Sequence, residues 1–194
     1  MNKISILFIS ILLVVSLSAQ PTKWGFDPAH SKVKFSVAHM MISEVDGQFN
    51  KYDGTVSAEQ KNFSDAQISF TIDVNSIDTD NADRDKHLKS PDFFNTDEHP
   101  SISFKSTGMK PDGEGKYKLT GDFTMLGVTK PITLDVKFGG TIKDPYGNTK
   151  AGFKITGTIN RNDWGLKYNS VMDTGGLMIG EEVDIVCNIE LIRQ

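Results

Sequence analysis

From Lys32 onward, apolar and polar side chains alternate residue by residue through one segment after another. Successive side chains of a strand point to opposite faces, so each such segment carries one dry face and one wet one. Val33, Phe35, Val37 and His39 share a face opposite Lys32, Lys34 and Ser36. Ala66, Ile68, Phe70, Ile72 and Val74 form the next dry face, and Tyr117, Leu119, Gly121, Phe123 and Met125 another. Ile132 to Phe138, Phe153 to Ile159 and Val183 to Leu191 repeat the pattern, with Cys187 on the dry face of the last. Trp24–Phe26, Gly47–Ser57 and Ser101–Ser106 are shorter candidates. Turn chemistry separates the runs, in Lys110–Gly115 and in Asp144-Pro145-Tyr146-Gly147-Asn148.

The spacing predicts an all-β domain of about eight or nine strands, mostly joined by hairpins. A sheet of amphipathic strands avoids exposed edges most simply by closing into a barrel. A sandwich would bury the same face, and periodicity alone does not separate the two. Many large dry-face side chains and only one short helix to cover an open sheet favour an extended eight-stranded antiparallel barrel. That helix is expected over Ala82 to Ser90, capped by Asp80 or Asn81 and stopped by Pro91.

The first nineteen residues read as a secretory leader. Lys3 gives the positive start, Ile4 to Val15 an apolar stretch, and Ser16-Leu17-Ser18-Ala19 small residues for cleavage. The apolar stretch falls short of the ~20 residues a membrane span needs; a retained anchor helix is the alternative. Residues 20–194 then form one domain, periplasmic or secreted, with no stable membrane span after cleavage. The chain has a formal charge of −4, which argues against nucleic acid as a partner. With one cysteine, Cys187, it has no internal disulfide, so burial must supply its stability.

Asn81 to Pro100 crowds acids, bases, two histidines and a Phe93-Phe94 pair into one stretch. Asp83, Arg84, Asp85 and His87 could serve acid–base chemistry, but no nucleophile elbow, phosphate loop or zinc-protease motif accompanies them. A solvated helix explains the charges equally well. Asp78 to Asp83 departs from a calcium loop, with Asp83 where glycine is needed, and the four histidines lack ligand spacing. No catalytic residue, metal ligand or cofactor is therefore assigned.

At this level of detail the chain resembles the YceI-like family of secreted polyisoprenoid-binding proteins. The resemblance runs through Trp24-Gly25-Phe26-Asp27-Pro28-Ala29-His30-Ser31, then Phe35, Val37, His39 and Met40, and Gly47-Gln48-Phe49. Ser76-Ile77-Asp78-Thr79 follows, then Arg84-Asp85, His87-Leu88, Ser90, Phe93-Phe94, His99-Pro100 and Ile102 to Ser106. Gly121 to Thr124, Gly127 to Pro131 and Asn160 to Gly165 complete it. Trp164 stands where the family usually has Phe, Asn95 where Asp is common, and Leu126 where a polar residue often sits. Leu126 thereby puts a preference for pyrophosphate head groups in question. The resemblance implies a lipocalin-like barrel with a long apolar tunnel for polyprenyl chains or other long-chain amphiphiles, and no enzymatic activity.

The expected tunnel wall is Phe35, Val37, Phe70, Ile72, Phe104, Phe123, Phe153 and Ile185. Phe93 and Phe94 are expected at the mouth as a lid, and His39, Arg84 and His87 at the polar end. The competing expectation is a packed structural or stress-response barrel that acts through protein partners. A homodimer is open under either expectation.

Overall fold

A computed structural model describes residues 21–172 and 175–194. The expected leader, residues 1–19, lies outside the described residues. The wall is built from β1 (Thr22–Phe26), β2 (Lys32–His39), β3 (Ser43–Phe49), β4 (Tyr52–Ala58), β5 (Gln67–Asp73) and β6 (Ile77–Asp78). It continues with β7 (Ser101–Pro111), β8 (Lys116–Met125), β9 (Val128–Lys143), β10 (Thr149–Asn160) and β11 (Ile179–Arg193). Three pairs, β1/β2, β3/β4 and β5/β6, are single staves with a break, so the ring has eight staves. Every ladder in it is antiparallel. β11 closes the ring by pairing with β1 through Phe26↔Leu191 and with β2 through Val33↔Cys187. The barrel, rather than the sandwich, is the outcome.

The breaks have local causes. The expected strand Gly47–Ser57 begins earlier, at Ser43, and is interrupted at Asn50–Lys51. Beside it, the run through Ala66 to Val74 ends in a 3₁₀ turn at Val74–Ser76. Asp73 accepts a hydrogen bond from the Asn75 amide at 3.0 Å, and Ser76 Oγ donates to the Asp73 carbonyl at 2.6 Å. Such side-chain bonds offer the backbone an alternative to the ladder. At the β1/β2 break, fully buried Ser31 accepts from the Glu190 amide at 3.0 Å, holding the corner against β11.

The helix α1 spans Ala82–Lys89, one residue shorter than expected. Asn81, with extended backbone, caps it by accepting from the Arg84 amide at 3.0 Å. Asp83 and Asp85 in its first turn, and Lys86, His87 and Lys89 in its last, match the helix dipole. Both expected turn clusters lie between strands, at β7–β8 and β9–β10. In the second, Asp144 accepts from the Tyr146 and Asn148 amides at 2.9 and 2.8 Å.

Aromatic packing closes the end of the barrel where β1 meets the last residues of β11. Phe63, 2% exposed, packs on Trp24 and Phe153 at 5.0 Å each and on Phe138 at 5.5 Å. Offset and tilted aromatic pairs of this kind add to the burial they bring. At the opposite end His39 faces Ile179 across β2 and β11.

Candidate functional site

The strand periodicity that makes the barrel also decides what lies inside it. Inward positions of β2, β5, β7, β8, β10 and β11 carry Phe35, Val37, Phe70, Ile72, Phe104, Phe123, Phe153 and Ile185, and all eight line one internal cavity. Its volume is about 490 Å³, within the usual range for a small-molecule site. Ile72, Phe104 and Phe123 are buried, whereas Phe35, Val37, Phe70, Phe153 and Ile185 are only half-buried although they face inward. Apolar side chains left half-covered on the inside of a closed wall have unfilled space in front of them. A lumen packed to the density of an ordinary protein interior would not leave them so.

Cross-strand steric fit shapes the wall. Phe35 pairs with Gly47, and a Cβ at Gly47 would lie 2.2 Å from Phe35 Cζ. The ring thus lies flat over the neighbouring strand because that position has no side chain. Phe35 also meets Phe49 at 5.6 Å, and Phe70 meets Phe26 at 5.1 Å and Tyr52 at 5.7 Å.

The helix and the segment after it reach the cavity from the side. Arg84 donates through Nε to Thr79 Oγ1 at 2.8 Å and through Nη2 to the Thr79 carbonyl at 2.6 Å. Asp85 accepts from the same threonine, from its amide at 2.9 Å and its hydroxyl at 2.6 Å. Buried Thr79 therefore anchors α1 to the barrel, and the helix is more than the solvated charged element its composition suggests. Arg84 lines the cavity and has no carboxylate partner within salt-bridge distance among the described residues. His87 also lines it, with Nε2 3.0 Å from Asp92 Oδ2.

Phe93 and Phe94 both reach the cavity but take different partners. Phe93 forms an aromatic trio with His87 and Tyr168, at 4.9 and 4.8 Å, the third side being 4.9 Å. Phe94 packs edge-on against Phe49 at 6.3 Å. The Phe94 amide donates to the Leu88 carbonyl at 3.0 Å and the Asn95 amide to that of Ser90 at 2.9 Å, which ties this segment to the helix end. His39, at the end of β2, completes the set of thirteen expected residues on the lining.

Several groups that matter lay beyond sequence reasoning. Tyr168 and Met178 lie at the His39 end, and nothing in their sequence context marks them. Arg161 is 4% exposed and donates, among the described residues, to the carbonyls of Gly180, Leu166 and Ile179; burial lowers its pKa. Asp27, His30 and Glu190 converge in the geometry of a metal site, but the Lys150 ammonium lies among them. It is 2.9 Å from Asp27 and 2.6 Å from Glu190, so a lysine supplies the cation. The Lys150 hydrogen bond, followed by that of His30, holds the Asp27 carboxyl well below the usual carboxylate range. These partners come from opposite ends of the sequence, which is why spacing could not suggest them.

The YceI-like domain profile matches residues 24–191, nearly the entire described barrel. The chain belongs to the YceI-like family. A UPF0312 protein of Pectobacterium carotovorum is 40% identical over 185 residues, covering 94% of this chain and 93% of that protein. Among solved structures, Burkholderia cenocepacia BcnA superposes with a TM-score of 0.74 at 24% identity, over 85% of this chain and 98% of that one. A polyisoprenoid binding domain from Saccharophagus degradans, implicated in plant cell wall breakdown, gives 0.68 at 13% identity, over 88% and 98%. At these identities the two structures establish the shared fold.

The departures from the YceI-like pattern have readable settings. Trp164 is buried, donates through Nε1 to the Phe123 carbonyl at 3.1 Å and meets the Phe123 ring at 5.4 Å. Asn95 adopts φ 44°, a left-handed conformation that asparagine tolerates. Leu126 also has positive φ, in the β8–β9 turn, where it packs against the core and is not part of the cavity lining.

Proposed function

We propose that this YceI-like barrel is a binding protein that holds a polyisoprenoid or similar long-chain amphiphile in its cavity, for transport, storage or sequestration. The observation that carries this reading is the apolar cavity itself, with Phe35, Phe70, Phe153 and Ile185 half-buried around unfilled space. The polyisoprenoid binding domain of Saccharophagus degradans supports it by likeness of fold. The chain would enter tail first, toward Phe63. Its polar end would remain near His39, Arg84 and His87, with Phe93 and Phe94 as the lid.

Binding rather than catalysis fits the polar groups. Asp85 is held by Thr79, and the His87 ring on the cavity lining keeps Nε2 on exposed Asp92 and packs against Phe93 and Tyr168. The apolar leader at residues 4–15 supports a periplasmic or secreted location. No helix among the described residues is long and apolar enough to cross a membrane.

A chain-length series tests the reading. Each buried methylene contributes roughly 0.8 kcal/mol, so one isoprene unit is worth about 3–4 kcal/mol before ordering costs. Affinity for polyprenyl alcohols, measured by displacement of a fluorescent fatty chain, should rise with each added unit until the cavity is full. It should then level off. Affinity independent of chain length would contradict a tunnel.

A further inference from the structure

The turn between β2 and β3 breaks two rules at once. Met40 and Met41 both take left-handed φ, 53° and 62°, and the Ile42 amide donates to the His39 carbonyl at 3.2 Å. Two consecutive positive φ values mark the type I′ turn usually made by Asn-Gly, set within a three-residue connection because His39 pairs with Ser43. Here its central residues are methionines, and the tip faces water: Met41 is 75% exposed and Ile42 87%.

A second segment joins it. The Met40 amide donates to the Met178 carbonyl at 2.8 Å, the Met178 amide to that of Ser170 at 2.9 Å, and Val171 bridges to Leu177. A Cβ at Gly176, whose φ is 94°, would lie 2.7 Å from the Met41 sulfur, so the two segments touch there. Val171, also 75% exposed, therefore shares one rim with Met41 and Ile42. The inner side of this rim is His39, Tyr168 and Met178, which line the cavity.

We infer that this apolar rim docks the open end of the barrel on a lipid bilayer, with Met41, Ile42 and Val171 entering the interface. The inference rests on the reading of the cavity as a site for long-chain lipid, because such chains reside in bilayers. The rim is continuous with the cavity mouth, so a docked barrel would present its lumen to the membrane without exposing the chain to water. A second copy of the protein is a poor occupant. Three protruding side chains on a convex turn fall far short of the roughly 20–30 residues a side of a stable dimer. Apolar side chains that enter the headgroup boundary suit a surface of this size. The rim residues themselves, Met41, Ile42 and Val171, carry no charge, so docking should not require anionic lipid.

Flotation with phosphatidylcholine vesicles, paired with cavity loading, tests this. The full barrel should float with these neutral vesicles at low and high salt. Ile42→Asp, at a water-facing position, should retain the Tm and reduce the vesicle-bound fraction about tenfold. It should load a polyprenyl alcohol slowly from vesicles, yet take up the same alcohol normally when it is added from ethanol. Failure of the unmodified protein to float, or equal flotation of the variant, would overturn the inference and leave the carrier reading intact. So would a variant that loses only self-association. Ile42-dependent flotation of a protein that takes up no chain by either route would support docking and sink the carrier reading instead.

Discussion

Cys187 faces the cavity between Ile185 and Ile189, and burial pushes its thiol up to about 11. Only the thiolate is nucleophilic, so at pH 8 about a thousandth of Cys187 is reactive, against about a quarter of a free cysteine with pKa near 8.5. Alkylation by iodoacetamide should be at least about a hundredfold slower than for a free thiol, rising tenfold per pH unit until pH approaches 11. A bound chain would cover the sulfur and slow the reaction further. Rates like those of a free thiol, or rates unaffected by added lipid, would show that Cys187 does not line the binding space. The thiol is thus a built-in reporter of occupancy. The Asp27–Lys150–Glu190 cluster illustrates the opposite role for a polar group: its charges satisfy one another and tie β1, β10 and β11 together.

The hairpin turn at Met40-Met41 makes the relation between element and function testable. A left-handed conformation costs a non-glycine residue roughly 1–2 kcal/mol. The double substitution Met40→Asn, Met41→Gly should therefore raise unfolding stability by about 1–2 kcal/mol in urea titrations, while vesicle association falls. A destabilised protein would mean that the methionines contribute more by packing than they cost in strain. The same turn shows where the sequence was legible and where it was not. Alternation located β2, β5, β8, β10 and β11 because one wall of each is wet and the other dry. It placed Phe35, Phe70, Phe153 and Ile185 on the inner face for the same reason. Met40-Met41 carries no turn residues, so its sharp reversal was invisible. The breaks at Asn50–Lys51 and Val74–Ser76 depend on side-chain bonds to backbone groups, which leave no periodic trace. Thr79, which gathers both Arg84 and Asp85, reads in sequence as an ordinary polar residue ahead of a helix.

At the scale of the whole molecule, the two ends of the barrel differ. One end of the barrel is filled by Phe63, Trp24, Phe138 and Phe153, and the other carries a half-exposed rim of His39, His87 and Tyr168. Long staves, 16 residues in β9 and 15 in β11, separate the two. At about 3.3 Å per residue, β11 alone spans roughly 50 Å. A cavity inside walls of this length, filled at one end, suits one elongated apolar chain better than a compact ligand. Apolar burial by that chain would add to the stability of a protein that has no disulfide. Native mass spectrometry of the purified barrel after incubation with a polyprenyl alcohol, followed by extraction and identification of what is bound, tests this most directly. One long chain per barrel, lost on extraction, is the predicted result. A barrel whose mass stays that of the bare polypeptide, with polyprenyl and fatty amphiphiles alike, would contradict the account.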